Sequence, residues 1–155
     1  MAVDILTEIT IDRPHPEVAD FVANPDNAPK WYVNIKSVEW VTSPPLNIGS
    51  KIAFVAHFLG RRVAYTYEVV EFVPGERMVM RTSDGPFPME TTYTWVPASE
   101  DATHMTLRNR GNPSGFSRLS APLMASAMRR ANRKDLSRLK QLLEQLAASS
   151  SFRSE

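Results

Sequence analysis

Tyr65, Tyr67 and Tyr93 stand in alternating apolar runs together with Thr82, Thr91 and Asn109, while Asn132 and Asp135 interrupt an apolar helical stripe. Hydroxyls, amides and a carboxylate are the groups that orient a bound molecule by hydrogen bonds or accept a proton from it. A carboxylate taken out of water is costly unless it is paired or hydrogen-bonded. Asp135 therefore has two readings. It faces a cavity, as a proton acceptor or ligand anchor, or it bonds a strand end or a short helix and is structural; Asn132 divides the same way. The tyrosines divide too, between the polar anchors of a pocket and a packed core whose hydroxyls reach the rim or each other.

The elements that must position these residues can be read from periodicity. Val3, Ile5, Ile9 and Ile11 alternate with Asp4, Glu8 and Thr10, the pattern of a half-buried strand. In "VADFVANPDNAPKWY", Val18, Phe21 and Val22 make one helical turn that Asn24-Pro25 breaks. Asp26 opens a second turn, which Pro29 is expected to close just before Trp31. Helices this short are not stable alone in water, so the rest of the fold must hold them. After the strand "IKSVEWVT", the segment "KIAFVAHFLGRRVAYTYEVVEF" reads as two strands around Gly60. The expected register sets Phe58 opposite Val63, Ala56 opposite Tyr65 and Phe54 opposite Tyr67.

Alternation gathers Ile52, Phe54, Ala56, Phe58, Val63, Tyr65, Tyr67 and Val69 on one face, with His57, Arg62 and Glu68 on the other. A turn at Pro74-Gly75 sets Glu68 across from Arg81 as an opposite-charge pair and adds Met78, Met80 and Thr82 to the inner face. After Asp84-Gly85, Phe87, Met89, Thr91, Tyr93 and Trp95 join them, and the last strand contributes Met105, Leu107 and Asn109. A long helix is expected to begin near Ser117–Pro122, with Pro122 in its first turn. Its apolar stripe is Met124, Met128, Leu136, Leu139, Leu142, Leu143 and Leu146. One α+β domain follows, with helix segregated to one face of an antiparallel sheet.

The chain has 155 residues and a net charge of +1, so no global charge points to nucleic acid. It has no cysteine, which excludes disulfides, thiolate catalysis and Cys-based metal sites. His15, His57 and His104 have no metal-ligand spacing. Neither a metal nor a cofactor is expected. The basic residues between Arg129 and Lys140 read as a solvated helix face. No signal peptide or membrane span is visible, so a cytoplasmic location is expected.

The pieces "NPDNAPKWYVNIKSVEWV", "YTYEVVEFVPGERMVMRT", "DATHMTL" and the terminal amphipathic helix resemble the START-like, helix-grip superfamily, in particular its polyketide cyclase/dehydratase (SRPBCC) type. The resemblance covers roughly Val3 to Leu146 and lies in strand order and punctuation, not in a catalytic signature. It implies a curved antiparallel sheet of about seven strands gripping the long helix, with two short helices closing a hydrophobic cavity near Trp31. The domain is expected over residues 1–147, with a disordered tail at 148–155.

The expected function is binding of a small hydrophobic ligand, a lipid or an aromatic or polyketide-like compound. Trp31, Phe54, Phe58, Tyr65, Tyr67, Met78, Met80, Thr82, Met89, Thr91, Tyr93, Trp95, Asn109, Met124, Met128 and Asn132 are the lining candidates. The first alternative is a polyketide cyclase/dehydratase-type enzyme using Asp135, Tyr65, Tyr93 and Asn109. The second is a protein-interaction module on the same fold. The cavity should be mainly apolar and of roughly a few hundred Å³, the usual size of ligand sites.

Overall fold

The computed structural model describes residues 3–85, 87–112 and 121–153, with the side chains of the last segment described over 122–146. The elements run β1 (Val3–Ile11), α1 (His15–Ala23), a 3₁₀ turn (Pro25–Asn27), α2 (Ala28–Trp31), β2 (Ile35–Trp40), β3 (Lys51–Phe58), β4 (Arg61–Val73), β5 (Arg77–Asp84), β6 (Met89–Ser99), β7 (Ala102–Gly111) and α3 (Ala121–Arg153). The strands form one antiparallel sheet in the order β1-β7-β6-β5-β4-β3-β2. β1 and β2 thus sit on opposite edges, and the two short helices carry the chain between them. This is the sheet-and-long-helix arrangement that the resemblance implies.

Period-2 alternation sorts the strands as expected. Ile5, Ile52, Phe54, Val69, Met80, Tyr93, Met105 and Leu107 are buried on the face that meets the helices, whereas His57, Arg62 and Arg108 are exposed. On α3, Met124, Leu136, Leu139 and Leu143 are buried at helical spacing against that face. Leu146, expected in the same stripe, is 52% exposed; the helix has by then run past what the sheet covers. The helix continues to Arg153, so residues 148–153 extend α3 instead of forming a separate tail. That segment contains neither proline nor glycine to stop it. The expected start near Ser117 lies outside the described residues; Pro122 does fall in the first described turn.

The β3–β4 register differs from expectation by two residues. Phe58 pairs with Arg61, Ala56 with Val63, Phe54 with Tyr65 and Ile52 with Tyr67. The loop is only Leu59-Gly60, with φ of 50° and 76°, the left-handed pair that a tight type I′ hairpin demands. An even shift moves partners but not faces, so the inner set survives. At the next turn, Val73 pairs with Arg77 across three residues, and a bulge between Val69 and Glu71 restores Glu68 opposite Arg81. The expected pair does not form an ion pair, however. Arg81 turns to Glu90 on the neighbouring strand at 2.6 Å, and Arg110 reaches the same carboxylate at 2.5 Å.

Pro29 also acts differently from expectation. It occupies the first turn of α2, where a missing N–H costs no helical bond, and so starts the helix instead of closing it. Side chains hold these short helices in place. Asn24 Oδ1 accepts the Asp26 N–H at 3.1 Å, Asn27 Nδ2 donates to the Phe21 carbonyl at 3.0 Å, and Trp40 Nε1 donates to Asp26 Oδ1 at 2.9 Å.

Candidate functional site

A cavity of about 180 Å³ lies between the concave face of the sheet, α2 and α3. It is smaller than the few hundred Å³ expected, because long Met and aromatic side chains occupy part of the space beneath the helix. Of the lining candidates, Trp31, Phe54, Phe58, Tyr65, Tyr67, Met78, Met80, Thr82, Met89, Thr91, Tyr93, Asn109, Met124, Met128 and Asn132 all border it, as does Asp135. Trp95 does not. It faces the same side of β6 but is buried with the core cluster of Ile11, Val18, Met105 and Leu107, where α1 packs against that strand.

Tyr32, unassigned in the sequence, is part of the lining. Its ring packs 3.9 Å from that of Trp31, and its hydroxyl lies 2.5 Å from the Tyr93 hydroxyl. Tyr93 in turn meets Trp31 edge-on and stacks on Trp95, each with centroids 6.1 Å apart. The end of α2 is therefore tied to β6 by a hydroxyl pair set in an aromatic cluster. Only the aromatic Trp31-Tyr32 doublet behind a helix-starting proline could have signalled this, since the segment has no strand alternation to show which way Tyr32 points.

A second set of polar groups forms a chain across three strands. Tyr67 donates its hydroxyl to Thr91 Oγ1 at 3.0 Å, and Thr91 donates to Asn109 Oδ1 at 2.8 Å. Nearby, Thr82 Oγ1 accepts the Met89 N–H at 2.9 Å. Phe54, Tyr65 and Tyr67 form a triangle of rings with centroids 5.2–6.0 Å apart. Burial pushes the Tyr67 phenol up to about 12 and raises Tyr65, Tyr32 and Tyr93 as well. These tyrosines stay neutral at physiological pH and act through hydrogen bonds.

Asp135 combines the two readings that the sequence left open. Its Oδ1 accepts the Val33 N–H at 2.9 Å, a structural bond from α3 to the chain leaving α2, and the residue also borders the cavity at 3% exposure. Burial pushes its carboxyl up to about 6, against the opposing pull of the Val33 N–H and of Arg138. Its charge in turn contributes to raising Tyr32, Tyr65 and Tyr93. One turn earlier on the same helix face, Asn132 also lines the cavity. Among the described residues, no cluster of His, Asp and Glu could hold a metal ion. Among the described residues, no helix is long and apolar enough to cross a membrane.

Residues 2–144 match the family model described as polyketide cyclase / dehydrase and lipid transport. No curated protein sequence matches the chain significantly. Among solved structures, a START superfamily protein from Mycobacterium smegmatis superposes with a TM-score of 0.80 at 14% identity, over 92% of this chain and 98% of that one. The Zhui aromatase/cyclase from Streptomyces sp. R1128 gives 0.77 at 13% identity, over 94% and 95%. The ginseng major latex-like protein 151 from Panax ginseng gives 0.72 at 11% identity, over 90% and 96%. At these identities the likeness shows the fold, which is the START-like helix-grip fold.

Proposed function

The chain belongs to the polyketide cyclase / dehydrase and lipid transport family, and from that premise we propose that it binds a small, mainly apolar molecule in the cavity beneath α3. A lipid fragment or an aromatic or polyketide-like compound fits this description. The observation that carries the reading is the cavity itself, walled by Phe, Met and Tyr side chains with hydrogen-bonding groups set among them. A core selected for stability alone fills such a space, because unfilled volume forfeits dispersion contacts. A lipophilic fluorescent probe should bind saturably. Tyr93→Trp or Met80→Trp should block it by filling the space while the variant stays folded. A protein that binds no such probe would favour the interaction-module reading instead.

Asp135 supports a second reading, an enzyme of the cyclase/dehydrase kind. A carboxyl raised to about 6, beside phenol hydroxyls in a largely apolar cavity, is suited to accept a proton from a substrate held against it. In this reading the cavity wall folds the substrate, and Tyr65, Tyr93 and Asn109 hold its oxygens. Asp135→Asn should then abolish turnover while leaving probe binding in place.

A further inference from the structure

The outer side of α3 carries unbalanced positive charge. Arg129, Arg130, Arg133, Lys134 and Arg138 line an open groove that Val33 also borders, and no Asp, Glu or aromatic residue lines it among the described residues. On the sheet, Arg77, Arg81, Arg108 and Arg110 each pair with a carboxylate. None of the cations of the groove forms an ion pair among the described residues. The one acid within this stretch of helix, Asp135, is buried toward the cavity and bonded to the Val33 N–H. Arg129 and Arg133, Arg130 and Lys134, and Lys134 and Arg138 stand four residues apart, the spacing at which like charges repel on a helix. A helix shaped for stability alone interleaves the signs. The whole chain is nearly neutral at +1, so the charge is concentrated on this face.

We infer that this face of α3 docks the protein on a bilayer carrying anionic lipids. The cations follow one another over about 14 Å of helix, and a charged bilayer attracts such arginines and lysines one by one, without a fitted pocket. A folded acidic partner fits less well, because Val33 is the only apolar residue of the groove among the described ones, too little for the apolar core of a protein interface. Nucleic acid fits less well too, since no aromatic ring is there to stack on a base. Leu123, 60% exposed one turn before Ser126, and Val33, 36% exposed, add shallow apolar contacts at the rim. Docking does not depend on the cavity being a binding site, but on that reading it gains a use. A bilayer is where sparingly soluble apolar molecules collect, and the cavity lies on the inner side of the same helix. Val33 joins the two, with its N–H on the cavity carboxylate of Asp135 and its side chain at the groove.

Vesicle flotation with the full chain tests this. The protein should float with phosphatidylcholine vesicles that contain about one-third phosphatidylglycerol, and not with phosphatidylcholine alone. Raising salt from about 0.05 M to about 0.5 M should release it, because the attraction is screened. Each cation contributes about fivefold to partitioning, so the triple variant Arg130→Gln, Arg133→Gln, Lys134→Gln should bind about 100-fold more weakly. The same charge change on the sheet, as Lys51→Gln, Arg62→Gln, Arg77→Gln, should alter binding by no more than about twofold. Circular dichroism confirms that both variants are folded. Equal flotation with neutral vesicles, no flotation with anionic ones at low salt, or equal loss in the two triple variants would overturn the inference. So would duplex DNA or polyglutamate stripping the protein from the vesicles at matched charge, which would assign the face to a nucleic acid or an acidic protein. Lipophilic probe binding without vesicles is a separate measurement, and the α3 triple variant should keep the parent's affinity. Docking that fails while the probe still binds overturns this inference alone; docking that persists without probe binding upholds it and removes the cavity reading.

Discussion

One concave face supports two different interiors. Toward α1 and the C-terminal half of α3, Ile11, Val18, Trp95, Met105, Leu107, Leu136, Leu139 and Leu143 pack with exposures of 2% or less. Toward α2 and the first half of α3, the same strands present Tyr65, Tyr67, Tyr93, Thr91 and Asn109 around open space. The packed end is anchored from outside as well. Lys140 Nζ donates to the Thr10 carbonyl, Glu144 accepts the Asp12 N–H, and Thr103 Oγ1 donates to the Arg13 carbonyl. Residue type explains the contrast. Aliphatic side chains have no polar atoms and can interdigitate until space is gone. At the other end the hydroxyls of Tyr32, Tyr67, Tyr93 and Thr91 and the Asn109 amide oxygen are held by hydrogen bonds to one another, so these side chains cannot fold inward without breaking those bonds. Hydrogen bonds between side chains hold the open end apart, and aliphatic packing fills the other.

The largest expected effect breaks the closed end. Leu139 is fully buried there, and Leu139→Ala should lower unfolding stability by about 2–5 kcal/mol, the usual range for a buried leucine truncation. Denaturant titration measures it. Because the lesion lies away from the cavity wall, probe affinity at a temperature where the variant stays folded should match that of the parent. A large affinity loss would mean that the two ends are one cooperative unit.

At the open end, a substitution should have the opposite sign. Asp135 has its carboxyl raised from 3.8 to about 6 in the fold. Between these values the native state holds a proton that the unfolded chain has released, so stability falls as pH rises through that window. Above it, the buried carboxylate costs up to about 3 kcal/mol. Asp135→Asn retains an oxygen for the Val33 N–H and removes the charge. Its unfolding free energy at neutral pH should therefore exceed that of the parent by about 2–3 kcal/mol, with the two converging below pH about 4. Parallel denaturation curves over this pH range check it, and a variant that is less stable throughout would make the Val33 bond the dominant role. Stability given up at a cavity carboxylate is what a functional group in a folded protein looks like.

The difference between the ends was only partly legible in the sequence. Side-chain period sorted the faces of β1 and of β3 to β7, and an even error in the β3–β4 register left them unchanged, so most strand members of the lining could be named from alternation, and Met124, Met128 and Asn132 from the helical period. Trp95 could not be told from Tyr93 that way. Both face inward, and only the crossing point of α1 decides which is sealed. Tyr32 escaped because it leaves a helix of one turn, where no period applies. The alternatives posed for Asp135 assumed that one carboxylate does one thing, yet it can accept a backbone N–H and still border open space. Cavity size depends on how far flexible side chains reach inward, which no one-dimensional pattern records.

The smallest effect sharpens how the open end is gated. The residues that follow α2 are tied to the body by two bonds, Tyr32 to Tyr93 and the Val33 N–H to Asp135. Tyr93→Phe removes the first and keeps the ring against Trp31 and Trp95, so no cavity is added and the aromatic contacts persist. The loss should be on the order of 1 kcal/mol, the net worth of one hydrogen bond. If that tie restrains α2 locally, the Tyr32 and Val33 amides should exchange with solvent about fivefold faster, while amides of β6 and β7 change only as global stability does. Probe association and dissociation should quicken together, with affinity nearly constant, because a looser α2 opens the way in and out without altering the walls. Unchanged exchange at Tyr32 and Val33 would mean that the Asp135 bond alone holds this end of the cavity closed.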